Sequence, residues 1–394
     1  MRRGLATLPR VVFVLGGVSL LTDLSSEMIY PLLPVFLTGV LGAGPAAIGI
    51  VEGLAESLAA WLRVISGRWS DRIGRRVPLV VGGYTLSGAA RPLIGLAGSW
   101  PAVLALRAAD RIGKGIRGAP RDALIADATP AGRRGIAFGV QRAMDHTGAV
   151  AGPLVAAGLL AAGLSIRGVI LAAAVPATVV VVLLLSAVRE PTRRAVAPVG
   201  RGGGWRDLGP VLRLLPAVGV FTLGNATDAF LLLRFGESGL PPGAVAVTWA
   251  AHNLVKVAAA GAGGMLTDRI RPRTVVLAAW ILYAGVYAVF AAVPSVTGLV
   301  VAFLIYGAVF GLAEPAERAW IAQLAPVPLR ATAYGAYHAV VGIAALPGSV
   351  LFGAVWERLG APAAFTLGAA LALVASGLLG RVRSGPRTRL RPPA

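Results

Sequence analysis

The sequence predicts an all-α integral membrane protein, with twelve transmembrane helices arranged as two pseudo-symmetric six-helix bundles. Three observations carry that expectation. Apolar runs of about 20 residues, the length that crosses a hydrocarbon layer, follow one another with short polar turns between them. A basic turn, Gly67-Arg-Trp-Ser-Asp71-Arg72-Ile-Gly74-Arg75-Arg76, returns in degraded form as Gly264–Arg273, with Asp268 standing 197 positions after Asp71 in a chain of 394 residues. Arginines crowd into every second turn and are nearly absent from the others.

Composition supports the first of these. The chain is 56% hydrophobic and 14% charged, with mean hydropathy +0.76, whereas soluble domains carry about 25% charged residues. A net charge of +20 raises nucleic acid as a partner, but the arginines sit between apolar runs rather than on a soluble face, so none is expected. The absence of cysteine excludes disulfides, thiolate metal sites and thiol catalysis. The start, Met1-Arg-Arg followed by an apolar stretch from Val11, has the look of a secretory signal. Its apolar run continues to about Val40 with no cleavage pattern leading into a soluble domain, and it reads as the first spanning helix.

The apolar runs fall at about 11–40, 46–67, 77–98, 101–126, 134–163, 167–188, 211–236, 243–265, 274–293, 296–322, 331–357 and 362–380. With the N-terminus inside, the inner turns hold Arg2, Arg3, Arg10, Arg68, Arg72, Arg75, Arg76, Arg133, Arg134, Arg189, Arg193, Arg194, Arg269, Arg271, Arg273 and Arg330, while the outer turns hold Arg167 and Arg358. Positive charge gathers on the cytoplasmic side of membrane proteins, so both termini are expected there, against anionic lipid headgroups. The Ala/Gly/Arg-rich usage fits a bacterial inner membrane. Residues 189–207, with Pro191, Pro198 and Gly200–Gly204, read as a flexible cytoplasmic linker between an N-terminal bundle (1–188) and a C-terminal bundle (208–394). Arg134…Phe138-Gly139 recurs as Arg330…Tyr334-Gly335. Two such halves follow the repeat logic of secondary transporters, with the substrate site near the midplane between them.

These residues resemble the major facilitator superfamily over essentially the whole chain. Gly67, Asp71, Arg72, Gly74, Arg75 and Arg76 match its motif A, G-x-x-x-D-R-x-G-R-R, between helices 2 and 3. Arg111-Ile-Gly-Lys114-Gly115 through Ala119 is similar to motif B on helix 4, with Lys114 where glutamine is usual. Gly148-Ala-Val-Ala-Gly152-Pro153 is similar to the antiporter motif C on helix 5. The resemblance implies a carrier working by alternating access, with helices 1, 4, 7 and 10 lining the cavity, and motif C implies a proton-coupled exporter. Asp71 and Arg72, echoed by Asp268 and Arg269, are then gating residues at the cytoplasmic hinge; the arginines hold the turn at the headgroups and Gly74 permits it. Gly152-Pro153 is expected to bend or thin helix 5 where the halves meet.

Charge inside hydrocarbon faces a partner or an aqueous cavity, which selects the candidate substrate- and proton-binding residues. On helix 1 these are Asp23, Glu27 and Tyr30; the two acids are four apart and share a face. A carboxyl group away from bulk water can load and release a proton near neutral pH, while an ion pair to the helix 4 arginines is the structural alternative. Helix 4 offers Arg107, Asp110, Arg111 and Lys114, with Arg111 placed to tune a helix 1 carboxylate and Asp110 a second titrating group. Helix 5 offers Asp145 and His146, the latter a proton shuttle or a buried hydrogen-bonding group. Helix 7 offers Asn225 and Asp228, and helix 10 Glu314. Glu52 and Glu56 on helix 2 are expected to pair with Arg91, the alternative being that they line an outer vestibule. Three histidines on different helices make no local metal motif.

The expected function is secondary active transport of a small polar or charged solute, coupled to protons and directed outward, by a monomer without cofactors. A metal ion or metal chelate as cargo, and a transporter-like sensor or channel, are the alternatives. No nucleophile elbow, HExxH or Walker motif supports an enzyme or ATP drive.

Overall fold

A computed structural model describes residues 8–73, 75–130, 134–188, 208–325 and 330–382. They form twelve rods, with no strand among the described residues: α1 Arg10–Val40, α2 Pro45–Ile73, α3 Val77–Leu93 and a 3₁₀ turn to Leu96, α4 Trp100–Ala128, α5 Arg134–Ala161, α6 Ile166–Ala187, α7 Gly209–Glu237, α8 Pro242–Arg269, α9 Pro272–Ala292, α10 Val296–Leu324, α11 Arg330–Leu359 and α12 Ala361–Arg381. Each coincides with one predicted run. The stretch read as a linker, 189–207, lies outside the described residues, as does Gly74.

Seven stretches among the described residues are long and apolar enough to cross a membrane on composition alone, in α1, α6, α7, α9, α10, α11 and α12. The more polar rods α2, α4, α5 and α8 carry many of the interior charges, joined by Arg91 on α3 and by Asp23 and Glu27 on α1. Outward faces are greasy: Val175, Val182 and Leu185 on α6 are 69%, 59% and 69% exposed. A soluble protein hides such a stripe, and here lipid covers it.

Breaks in α1 and α7 bear on the interior. In α1 the α-helix ends at Ile29, tightens to a 3₁₀ turn over Tyr30–Leu32, and passes into a π turn over Phe36–Val40. Pro31 and Pro34 lack the N–H that a regular helix needs, and the altered turns reassign the freed carbonyls. In α7 the helix stops at Gly224 and restarts at Ala229. The intervening Asn225, Thr227 and Asp228 have side chains that compete with the backbone for hydrogen bonds; Thr227 Oγ1 accepts from the Ala229 N–H at 3.4 Å.

The halves, α1–α6 and α7–α12, are joined by α2 against α11 and α5 against α8. Glycine makes the first contact close: a Cβ at Gly53 would lie 3.1 Å from the Leu346 backbone, and one at Gly353 2.8 Å from Pro45 O. Among the described residues the hydrogen bonds between halves are Tyr30–Thr227, Ala46 N to Glu357, Ser57 to Gly342 O, Trp249 to Glu27 and Asn253 to Ala149 O. All lie between mid-rod and the molecular face that carries the α1–α2 turn.

Motif C packs elsewhere than expected. Gly148 and Gly152 face α1 of their own half, where added Cβ atoms would meet the backbone of Leu20 and Leu24. The absence of a side chain brings α1 and α5 together, and it is this approach that sets Asp23 and Glu27 opposite α5.

Candidate functional site

The N-terminal half contains a buried ionic lattice. α4 lies between α2 and α3, so its two sides meet different partners. Toward α2, Arg107 donates from Nε and Nη2 to Glu52 at 2.8 and 2.7 Å. Toward α3, Asp110 accepts from Arg91 Nε at 2.7 Å and from Arg107 Nη1 at 3.4 Å. Arg91 also donates to the Thr22 carbonyl at 2.9 Å, which ties α3 to α1. Glu52, Asp110, Arg91 and Arg107 are at most 4% exposed. Unpaired charges at this depth would be expensive, and mutual pairing is what allows them there.

This corrects the expected pairing of Glu52 and Glu56 with Arg91. Arg91 is taken by Asp110, Glu52 by Arg107, and Glu56 by Arg111 at a loose 3.5 Å. Spacing reveals which residues share a helix face; it does not reveal how neighbouring helices are rotated. Arg107 and Asp110, both candidates for substrate or proton contact, are held inside this lattice.

The helix 1 acids do not join it. The Glu27 carboxylate accepts from Trp249 Nε1 at 2.7 Å, a bond that crosses between the halves. Asp23 lies within hydrogen-bonding reach of Asp145 on α5, with Lys114 as the cation facing the pair. Arg142 approaches Asp145 at 3.6 Å. The ion pairs proposed between these acids and the α4 arginines are therefore absent among the described residues, replaced by an indole and a second carboxyl group. Lys114 and His146 are both exposed, and His146 thus departs from the buried role expected as the commoner one.

The C-terminal half is built from rings. Tyr306 donates to Asp228, and Tyr283 donates to the Gly224 carbonyl and Asn225 Oδ1, both at 3.2 Å. Two phenols from α9 and α10 thus hold the polar gap in α7. His252 packs against Trp249 and Phe303, with ring centroids at 5.2 and 4.3 Å, and its Nδ1 is 3.0 Å from Phe303 O. Its place is structural. Lys256 Nζ lies 5.9 Å over the Phe310 ring. Glu314 is exposed, whereas Glu317, a second charged position of helix 10 in the sequence, accepts from Trp280 Nε1 at 3.1 Å and Tyr337 OH at 2.7 Å. The aromatic cluster was missed: at 7% of the chain aromatics look sparse, but the run Trp280, Tyr283, Tyr287 at helical spacing was a usable signal.

Of the gating residues, Gly67, Asp71, Arg72, Asp268 and Arg269 lie on α2 and α8, but their side chains lie outside the described residues. Arg75 is exposed, and Arg76 pairs with Asp127 at the end of α4, so part of the basic turn is fastened to protein.

Known proteins give the same picture. The profile described as Major Facilitator Superfamily matches residues 15–237 and 224–394. An MFS-type transporter of Methanocaldococcus jannaschii is 34% identical over 380 residues, covering 94% of each chain. Among solved structures, a point mutant of the nucleoside transporter NupG superposes with TM-score 0.80 at 14% identity over 95% of this chain and 100% of its own. A bacterial homologue of the human lysosomal transporter Spinster, inward-facing and occupied, gives 0.77 at 18% identity over 95% and 97%.

Proposed function

Starting from the chain's membership of the major facilitator superfamily, which makes it a membrane transporter and not an enzyme, we propose that it exchanges a small polar or charged solute for protons across a bacterial inner membrane. Transport proceeds by alternating access, and the solute moves outward. The observation that carries this reading is the Asp23–Asp145 pair beside Lys114. We take these neighbouring carboxyl groups, set together between α1 and α5, as the site at which a proton is loaded. That proton is released when a cation or a change of conformation separates them, so its binding is linked to the state of the cavity.

Orientation follows from the arginine distribution: both termini are cytoplasmic, and the face closed by Glu357, Ser57, Tyr30 and Trp249 is external. An exporter loads its cargo in the state that is open to the cytoplasm. Motif A at Gly67–Arg76 is the latch of the opposite state, and its charges must re-pair as the halves rock.

The deciding measurement is flux in proteoliposomes with an imposed pH gradient, run against a panel of organic cations, organic anions, zwitterions and metal chelates. Coupled export is supported when a gradient, inside-acid or inside-basic, drives one class of solute uphill. A flux that ignores the gradient for every transported solute removes proton coupling.

A further inference from the structure

Arg107 and Arg111 are one helical turn apart on α4, and each sends Nη2 to a glutamate of α2, beside the Nε that shares that edge of the guanidinium. In Arg107 that edge is filled: Glu52 accepts both N–H groups at 2.8 and 2.7 Å. In Arg111 it is not. Its Nε is buried and has no hydrogen-bond partner, and its Nη2 reaches Glu56 only at 3.5 Å. The Arg111 side chain is 9% exposed, while that of Glu56 is 55% exposed. Asp110, the other nearby acid, has both oxygens engaged by Arg91 and Arg107.

A buried guanidinium with an open fork is the arrangement that receives a carboxylate in two parallel hydrogen bonds. One turn further along, Lys114 is exposed and makes no ion pair among the described residues, adding a second positive charge on the same stripe. Opposite, Glu27 is held by the Trp249 indole, so it does not fill the fork.

We propose that the Nε–Nη2 edge of Arg111, backed by Lys114, binds the carboxylate of an organic-acid solute, and that Glu56 is the internal carboxylate this solute displaces. The inference rests on the transporter reading and names its cargo class. Displacement also gives the solute a structural consequence, since it frees Glu56 on α2, the rod that crosses to α11 in the other half.

The test uses the full chain, purified in detergent, with thermal melting followed as sodium benzoate, sodium lactate or disodium glutarate is titrated. Tetraethylammonium chloride and sodium phosphate are the controls. At least one carboxylate is expected to raise the melting temperature of the wild type. Arg111→Lys keeps the charge but loses the fork, and should weaken the apparent affinity roughly tenfold or more. Glu56→Gln removes the competitor and should tighten it roughly threefold or more. Several results overturn the site: no carboxylate stabilises the wild type, phosphate does so as well as the carboxylates, Arg111→Lys binds like the wild type, or Glu56→Gln weakens binding. The Glu56→Gln arm remains decisive if Arg111→Lys fails to fold. Proton-driven flux of another solute with no carboxylate binding sinks this inference alone, whereas carboxylate binding without any response to a pH gradient sinks proton coupling alone.

Discussion

The hydroxyls of Tyr30 and Thr227 lie 3.2 Å apart, and the two residues are separated by 197 positions, the interval between Asp71 and Asp268. If Asp71 and Asp268 are equivalent positions of a duplicated half, so are Tyr30 and Thr227, and equivalent points of two such halves touch only where the axis relating them passes. The contact also falls at irregular places in two of the rods, the 3₁₀ turn of α1 and the gap in α7. Secondary transporters place their substrate at such interruptions.

Closure around this axis depends on one charge-assisted bond more than on the hydroxyl pair. A hydrogen bond to a charged group contributes about 1.5–3 kcal/mol, against about 0.5–1.5 kcal/mol for a neutral one. Trp249→Phe, which keeps the ring but removes the donor to Glu27, should shift the balance toward opening of the external face by roughly tenfold or more. Tyr30→Phe should shift it by less. Spin labels on cysteines introduced at Ala46 and Glu357 would report the distance across that face; an unchanged distance distribution in Trp249→Phe would show that the indole bond does not hold the closed state.

The proton pair makes a prediction that separates coupling from binding. Asp23→Asn and Asp145→Asn should each abolish uphill movement driven by a pH gradient, while solute exchange at equal pH persists. The double variant should be no worse than either single one, because the two carboxyl groups act as one proton site. Additive losses would mean that they titrate independently and that the pair is not the coupling site.

How far this was readable beforehand differs by feature. The twelve rods were legible because a run of about 20 apolar residues has few other fates. The membership of Asp23, Glu27 and Arg111 in the interior was legible too, since charge in hydrocarbon must face inward. Their partners were not. Whether Arg91 meets Glu52 or Asp110 depends on which side of α4 each neighbour packs against, and Asp23 meeting Asp145 depends on the close approach that Gly148 and Gly152 allow. The gap in α7 escaped notice because Asn225-Ala-Thr-Asp228 interrupts its apolar run for only four residues. Its stabilisers, Tyr283 and Tyr306, come from distant helices.

The lattice around Asp110 predicts a stability effect distinct from any transport effect. Asp110→Asn leaves Arg91 and part of Arg107 uncompensated at 3% and 4% exposure, and breaking a buried pair from one side costs about 3–5 kcal/mol. Arg91→Met should be comparably damaging. The double variant Arg91→Met/Asp110→Leu, which removes both charges, should recover much of the loss. Melting temperatures of the purified variants in one detergent measure this directly. Equal and additive losses would indicate that Arg91 and Asp110 contribute separately and do not compensate one another.

The α1–α5 contact supplies a purely steric prediction. A Cβ at Gly152 would lie 2.7 Å from Leu24 O and 2.9 Å from the Glu27 Cβ, and one at Gly148 would meet Leu20 O, whereas Gly158 on the same rod has nothing within 4 Å. Backbone cannot move aside as a flexible side chain can, and overpacking costs about 1–3 kcal/mol. Gly148→Ala and Gly152→Ala should therefore push α5 away from α1, lower the melting temperature, and weaken the Asp23–Asp145 link along with the pH-driven flux that depends on it. Gly158→Ala should leave both unchanged. If Gly152→Ala melts like the wild type but still loses pH-driven flux, the glycine acts through movement of α5 during the cycle and not through its static packing. If neither property changes, the close approach of the two rods is not what positions the proton site.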